Sequence, residues 1–292
     1  KGAVIYACFK NNIIKANHYE ADTSEGLKIA GTKAKHSWNK SGFGNINEVQ
    51  ALAYSSNIYM MKIIIKLAGG HYQYDKPIHI DKSAFTKLRN AAGELGLGVK
   101  TGIDLPGEIT GVKGSTTRED IGKALDESFG QYDTFTTMQL AQYAATVANG
   151  GYRVRPHIVA SIEQRDEANR VKTQTTVPTE VLGTVGWTEA ERNLIWKGME
   201  EVVHSSSGYA TGTRMKNVQP GIYAKTGTAE TTTNGVSTYT SSLISFVPNS
   251  DVAVAIVVPS VYESDENVNQ QIAIQIYEAF WKDVQDSGSA TK

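Results

Sequence analysis

Lys225-Thr226-Gly227-Thr228-Ala229, led in by Gly221-Ile222-Tyr223-Ala224 and followed by Glu230, is the stretch on which the reading of this chain turns. Tyr223 to Thr228 has the look of a strand. Alternation then sets Lys225, Gly227 and Ala229 on one face and Thr226 and Thr228 on the other. A glycine inside a strand leaves room for another backbone to lie against it. More strands follow. Asn234-Gly235 marks a hairpin turn, with further strands over Ser242 to Val247 and Val252 to Val258. The last is apolar throughout, as expected of a central strand covered on both faces. A closing helix carries Val268, Ile272, Ile276 and Phe280 as its stripe.

Upstream of residue 221 the grain is helical. Residues 10–44 are polar and irregular. Asn45 to Asn47 offer caps to a helix with Val49, Leu52 and Ala53 on one face. Ser55-Ser56-Asn57 breaks that period, and a second helix carries Ile58, Met61, Ile64, Ile65 and Ala68 up to Gly69-Gly70. Residues 71–90 are mixed, and Thr101 to Glu108 reads as an extended segment ending in a turn. Thr136 or Thr137 caps a helix with small residues on one face, closed by Asn149-Gly150-Gly151. Thr188 with Glu191 forms a capping box ahead of Ile195, Met199, Val202 and Val203. Helices early, strands late and a final helix define an α+β chain, an antiparallel sheet covered by helices.

Two other places invite chemistry. Ser55-Ser56-Asn57 sits at a polar corner between two packed helices, where side chains are supported yet reach outward. By itself such a corner is equally an ordinary pair of caps. The chain opens Lys1-Gly2-Ala3-Val4-Ile5, a helix running into a core. Residues three apart share a helix face, so a serine three positions before Lys1 would stand beside its ammonium group. The plainer alternative is that Lys1 is simply where the chain starts. Ser37-Trp38-Asn39-Lys40 also fits Ser-x-x-Lys. It stands 18 positions before Ser55 in a stretch rich in Lys, Ser, Gly and Asn, which reads as a surface loop and a poor place for a nucleophile.

Composition narrows the partners. With 292 residues the chain can bury a large core. A net charge of -1 from 29 basic and 30 acidic residues argues against a nucleic-acid partner. The one cysteine, Cys8, lies in an apolar run and reads as a small buried hydrophobe. Six histidines without a ligand spacing support no metal site, and no cofactor motif is present. No apolar run is long enough to span a membrane. Glu200 and Glu201 read as a solvated helix face.

Four stretches, ALAYSSNIYM (51–60), LGLGVKTGIDLPGE (95–108), FGQYDTFTTMQLAQYAATVANGGYRVRP (129–156) and YAKTGTAE (223–230), resemble the transpeptidase domain of class B penicillin-binding proteins, nearest the 2B type of Gram-positive bacteria. The boxes S-x-x-K, S-x-N and K-T-G mark that class of acyl-serine enzymes. The resemblance implies a penicillin-binding transpeptidase fold: an antiparallel five-stranded sheet sandwiched by helices, plus a helical lobe. Residues 1–292 would be one such domain without its start, the lobe over roughly 40–150 and the sheet mostly over 185–283. It implies an extracytoplasmic position at the bacterial membrane, through an anchor upstream, within a cell-wall synthesis complex.

The implied reaction is acyl transfer from peptidoglycan stem peptides, with β-lactam antibiotics as mimics. Lys1 would activate the serine three positions before it, Ser55 would relay a proton to the leaving nitrogen, and Asn57 would hold the substrate amide. Lys225 would supply field, and lower the pKa of Lys1, while Thr226 and Thr228 bind the terminal carboxylate. Gly227 would let substrate lie along the strand. The backbone N–H of Thr228 would join that of the serine in an oxyanion hole. No Glu-x-x-x-Asn box stands between the second and third boxes, so the β-lactamase reaction is not expected. Without its serine the 292-residue chain would be inert toward penicillin. A D,D-carboxypeptidase, or a non-catalytic β-lactam sensor on the same fold, remains open.

Overall fold

The computed structural model describes residues 1–117, 121–262 and 267–286. Helix α1 (Gly2–Lys10) comes first, then strands β1 (Glu20–Thr23) and β2 (Gly42–Ile46), and helices α2 (Glu48–Ala53), α3 (Asn57–Leu67) and α4 (Ser83–Glu94). A 3₁₀ turn, Ile121–Lys123, runs into the short α5 (Ala124–Glu127), and α6 covers Thr137–Ala148. Strands β3 (Tyr152–Val154), β4 (Ser161–Arg165), β5 (Val171–Thr176) and β6 (Val181–Thr184) precede α7 (Glu189–His204). Then come β7 (Tyr223–Thr233), β8 (Val236–Phe246), β9 (Ala253–Val261) and α8 (Val268–Asp286).

The main sheet has the order β7-β8-β9, antiparallel throughout. Three strands are therefore present among the described residues where five were expected, and β8 rather than β9 is the middle one. The apolar run of β9 has its cause in cover. On one face Ala253 and Ala255 meet α6, whose small residues allow a close approach. On the other, Val254 and Ile256 pack in the cluster that includes Ala273 and Tyr277 of α8. Asn234 (φ 52°) and Gly235 (φ 79°) make the hairpin turn expected of Asn-Gly.

Two apolar clusters share this sheet as a wall. The larger joins α1, α3, α4, α6 and the first half of α7 to Ile244 and Phe246. The smaller puts Val202, Val203, Ile222, Ala224, Leu243 and Tyr277 together behind it. Helix α1 is buried from Ala3 to Phe9, as its apolar sequence requires. Its Tyr6 hydroxyl donates to Glu94 of α4 and accepts from the Gly186 N–H at 2.9 Å. Cys8 is fully buried and burial pushes its thiol up, so it is a packing residue.

Caps explain several boundaries. Asn47 with Gln50, Thr136 with Gln139 and Thr188 with Glu191 each form a reciprocal capping box. Thr188→Ala removes the acceptor for the Glu191 N–H (3.2 Å) and is expected to cost about 1 kcal/mol, checked by urea unfolding. Other expectations fail. Residues 10–44 contain the β1–β2 hairpin, and α4 lies where a mixed stretch was read. The stripe on α8 is also displaced. Ile276 (39% exposed) and Phe280 (40%) face outward, whereas Asn269, Gln270, Ala273 and Tyr277 are buried. The two polar residues are inside because they hold backbone: Asn269 donates to the Ser242 carbonyl and Gln270 to the Thr211 carbonyl. No helix among the described residues is long and apolar enough to cross a membrane.

Candidate active site

Helix α2 ends at Tyr54, and Ser55 turns into the left-handed region (φ 56°). Ser56 then caps α3 by accepting the Tyr59 N–H at 3.0 Å, and Asn57 is the first residue of α3. A serine at positive φ costs roughly 1–3 kcal/mol and persists only where its surroundings enforce it. The Ser55 N–H bonds the Leu52 carbonyl and the Ser56 N–H the Ala51 carbonyl, closing the corner on itself.

Strand β7 brings the other half. Lys225 is 8% exposed, and its ammonium donates to Ser55 Oγ at 2.9 Å and to the Thr226 carbonyl at 2.8 Å. Two boxes 170 residues apart thus meet at one hydrogen bond. Ala224 before it packs in the smaller cluster, and Ile244, its partner across the ladder, packs in the larger. Burial, and then the charge of Lys1, hold Lys225 well below the ordinary lysine range. Lys1 caps α1, with its ammonium 5.8 Å from the centre of the Phe129 ring. Burial alone brings it down to about 8.

The strand alternation holds at the threonines. Thr226 Oγ1 turns away from Lys225 to donate to Thr211 Oγ1 at 2.8 Å, and Thr228 is exposed. At Gly227 an added Cβ would lie 2.5 Å from Ser242 Oγ, so the flat strand surface there is built in by the neighbour. Among the described residues the Asn57 carboxamide makes no hydrogen bond, although the Asn57 N–H does. Gly2 has the same kind of constraint: a Cβ would meet the Tyr143 hydroxyl at 2.4 Å, so α1 starts close against α6.

Ser37 overturns one expectation. It is 2% exposed, not on a surface loop. Its hydroxyl donates to Asp22 Oδ2 at 2.7 Å and accepts the Asn57 N–H at 3.0 Å, which leaves it bound into the corner. Asp22 and Glu127 carried no sequence signal. Asp22 also accepts from Ser56 Oγ at 2.6 Å. Glu127 is pushed up to about 7, by burial first, with its carboxylate accepting the Asp133 N–H at 2.7 Å. Only contacts across 15 and 34 residues reveal Asp22's part in the corner. Glu200 and Glu201 pair with Lys197 on the outer side of α7.

A corner serine, a buried strand lysine and a second lysine at a helix start are the kinds of group that serine acyl transfer employs. The chain belongs to the penicillin-binding protein transpeptidase domain family, whose profile it matches over residues 1–278. It is a class B domain similar to two Gram-positive proteins. Identity is 36% over 290 residues to penicillin-binding protein H of Bacillus subtilis (strain 168), covering 96% of this chain and 39% of that protein. It is 34% over 292 residues to penicillin-binding protein 2B of Streptococcus pneumoniae serotype 2, covering 97% and 42%. Peptidoglycan D,D-transpeptidase MrdA of Acinetobacter baumannii is 26% identical over 202 residues, 66% of this chain and 26% of that protein. The solved structure of penicillin-binding protein 2B from S. pneumoniae R6 superposes with a TM-score of 0.88 at 32% identity, covering 96% of this chain and 46% of that one. The chain spans about two fifths of the length of the first two relatives.

Proposed function

We propose that this domain carries the D,D-transpeptidase site of a peptidoglycan cross-linking enzyme at the outer face of the bacterial membrane. The observation that carries the reading is the 2.9 Å hydrogen bond from the buried Lys225 to Ser55. A serine three positions before Lys1 attacks the D-Ala-D-Ala carbonyl, forming the acyl-serine ester and expelling D-Ala. An amine of a neighbouring stem peptide then displaces the serine. Lys1, with its pKa near 8, takes the serine proton, since a neutral fraction exists at working pH. Ser55, bonded to Lys225, relays that proton to the leaving nitrogen, so the proton lost by the serine departs with D-Ala. Asn57 holds the substrate amide. The substrate's terminal carboxylate docks by Thr226 and Thr228, within the field of Lys225. Gly227 keeps the strand flat for it.

Benzylpenicillin is the direct probe, because its ring carbonyl stands in for the scissile one. Intact-mass spectrometry of the full-length protein should show one adduct, mapped to the serine three residues before Lys1. An adduct on Ser37 would overturn the assignment of Lys1. No adduct would favour a sensor or scaffold. Release of D-Ala to water alone, with no cross-linked product, would make the enzyme a carboxypeptidase.

A further inference from the structure

The segment that looked like a false Ser-x-x-Lys box has two bonds to the corner that contains Ser55. Ser37 Oγ accepts the N–H of Asn57 at 3.0 Å, just after Ser55. Trp38 Nε1 donates to the carbonyl of Tyr54 at 2.7 Å, just before it. Ser37 and Ser56 both donate to Asp22 Oδ2, at 2.7 and 2.6 Å, and all three residues are at most 2% exposed. Asp22 sits on β1, which pairs with β2, so the carboxylate is anchored by a ladder independent of α2 and α3. Its other oxygen, Oδ1, is buried without a partner among the described residues. An acid held this way, for two serine hydroxyls, costs stability and needs a compensating use.

We propose that Asp22, Ser37 and Trp38 are positioning residues that bracket Ser55 and hold its hydroxyl on Lys225. Ser55 occupies a backbone region a serine avoids, and the two bonds on either side of it oppose relaxation to negative φ. Trp38 is 54% exposed, so its indole N–H serves the corner more than the core. Ring contacts with Phe43, itself against Tyr54, keep the indole in place. The inference rests on the reading of Ser55 as a proton relay, and its test separates the two.

The experiment uses the full-length protein as Ser37→Ala, Ser37→Thr and Trp38→Phe, each also in a Ser55→Ala background. In the Ser55 protein, the acylation step by benzylpenicillin should slow about 10–100-fold in Ser37→Ala and Trp38→Phe, the range set by a misplacement near 1 Å. Pre-acylation binding should stay within a factor of two or so, and Ser37→Thr, which keeps a hydroxyl, should recover most of the rate. In the Ser55→Ala background the same changes should cost nothing further, since an effect exerted through Ser55 cannot add to its loss. Equal losses in both backgrounds, or none in the Ser55 protein, would overturn the proposal. Amide exchange across residues 54–57 should rise about tenfold in Ser37→Ala and Trp38→Phe. That readout needs no turnover. An unreactive wild type therefore removes the transpeptidase reading, while unchanged exchange removes the bracket. Trp38→Phe keeps the ring and guards against a variant that merely fails to fold.

Discussion

Lys1→Ala in the full-length protein is expected to slow acylation by benzylpenicillin by about 10²–10⁴-fold, the range for loss of a positioned general base. The hydroxyl of serine is a weak nucleophile until a neighbouring group takes its proton. Lys1 is the group proposed for that role, and burial has already lowered its pKa to about 8. The sign of the pH dependence follows. A base works when neutral, and a lysine is neutral above its pKa, so the wild-type rate should climb from pH 6 toward a plateau above about pH 8. The rise should vanish in Lys1→Ala. Stopped-flow acylation across pH 6–9.5 checks both. A retained rate, or a profile that keeps its rise without Lys1, would remove the lysine from the role of base.

Lys225→Ala is the second large effect. It leaves Ser55 Oγ without its 2.9 Å donor and, on the proposed reading, removes the positive field for an arriving carboxylate. The acylation step should fall about 10²–10³-fold, in line with removal of one preorganised donor from a reacting site. Lys225→Arg should not rescue it, since a planar guanidinium fork does not reproduce the compact ammonium of a lysine only 8% exposed. The informative comparison is with Ser55→Ala. If the two residues act as one unit, the double variant should lose little more than the worse single one. Additive losses would assign Lys225 to substrate docking alone.

Much of this site was legible in the sequence, because its parts are short strings with fixed local chemistry. Ser55 and Asn57 at a helix corner, and Lys225 to Thr228 on a strand, lie where periodicity and caps put them. The Asn-Gly turn and the Thr188–Glu191 capping box were readable for the same reason, whereas Asn47 and Thr136 were read as caps without their glutamine partners. The failures share a different cause. The β1–β2 hairpin is short, polar and glycine-rich, so neither strand shows alternation. Helix α4 begins at Lys82 with no side-chain cap, removing its entry signal. On α8 the rule that apolar residues face inward gave way to two amides that anchor backbone carbonyls. Strand β9 was placed at the centre because its residues are covered on both sides, yet cover from α6 and α8 does not require a strand partner on each edge. Ser37 was misread because its purpose depends on Asp22 and Asn57, which no local window contains.

The lysine and the serine of the 2.9 Å pair are not held alike. Lys225 grows from a strand pinned between two apolar clusters, with Ala224 sunk in one and Ile244 beside it in the other. Ser55 stands on a turn fastened by a few hydrogen bonds. The first is an anvil and the second a hinge, so whatever separates the two atoms acts by letting the serine drift. On the proposed reading, small replacements around residues 22, 37 and 38 would therefore slow acylation by degrees while Lys1, Ser55, Asn57 and Lys225 stay in place.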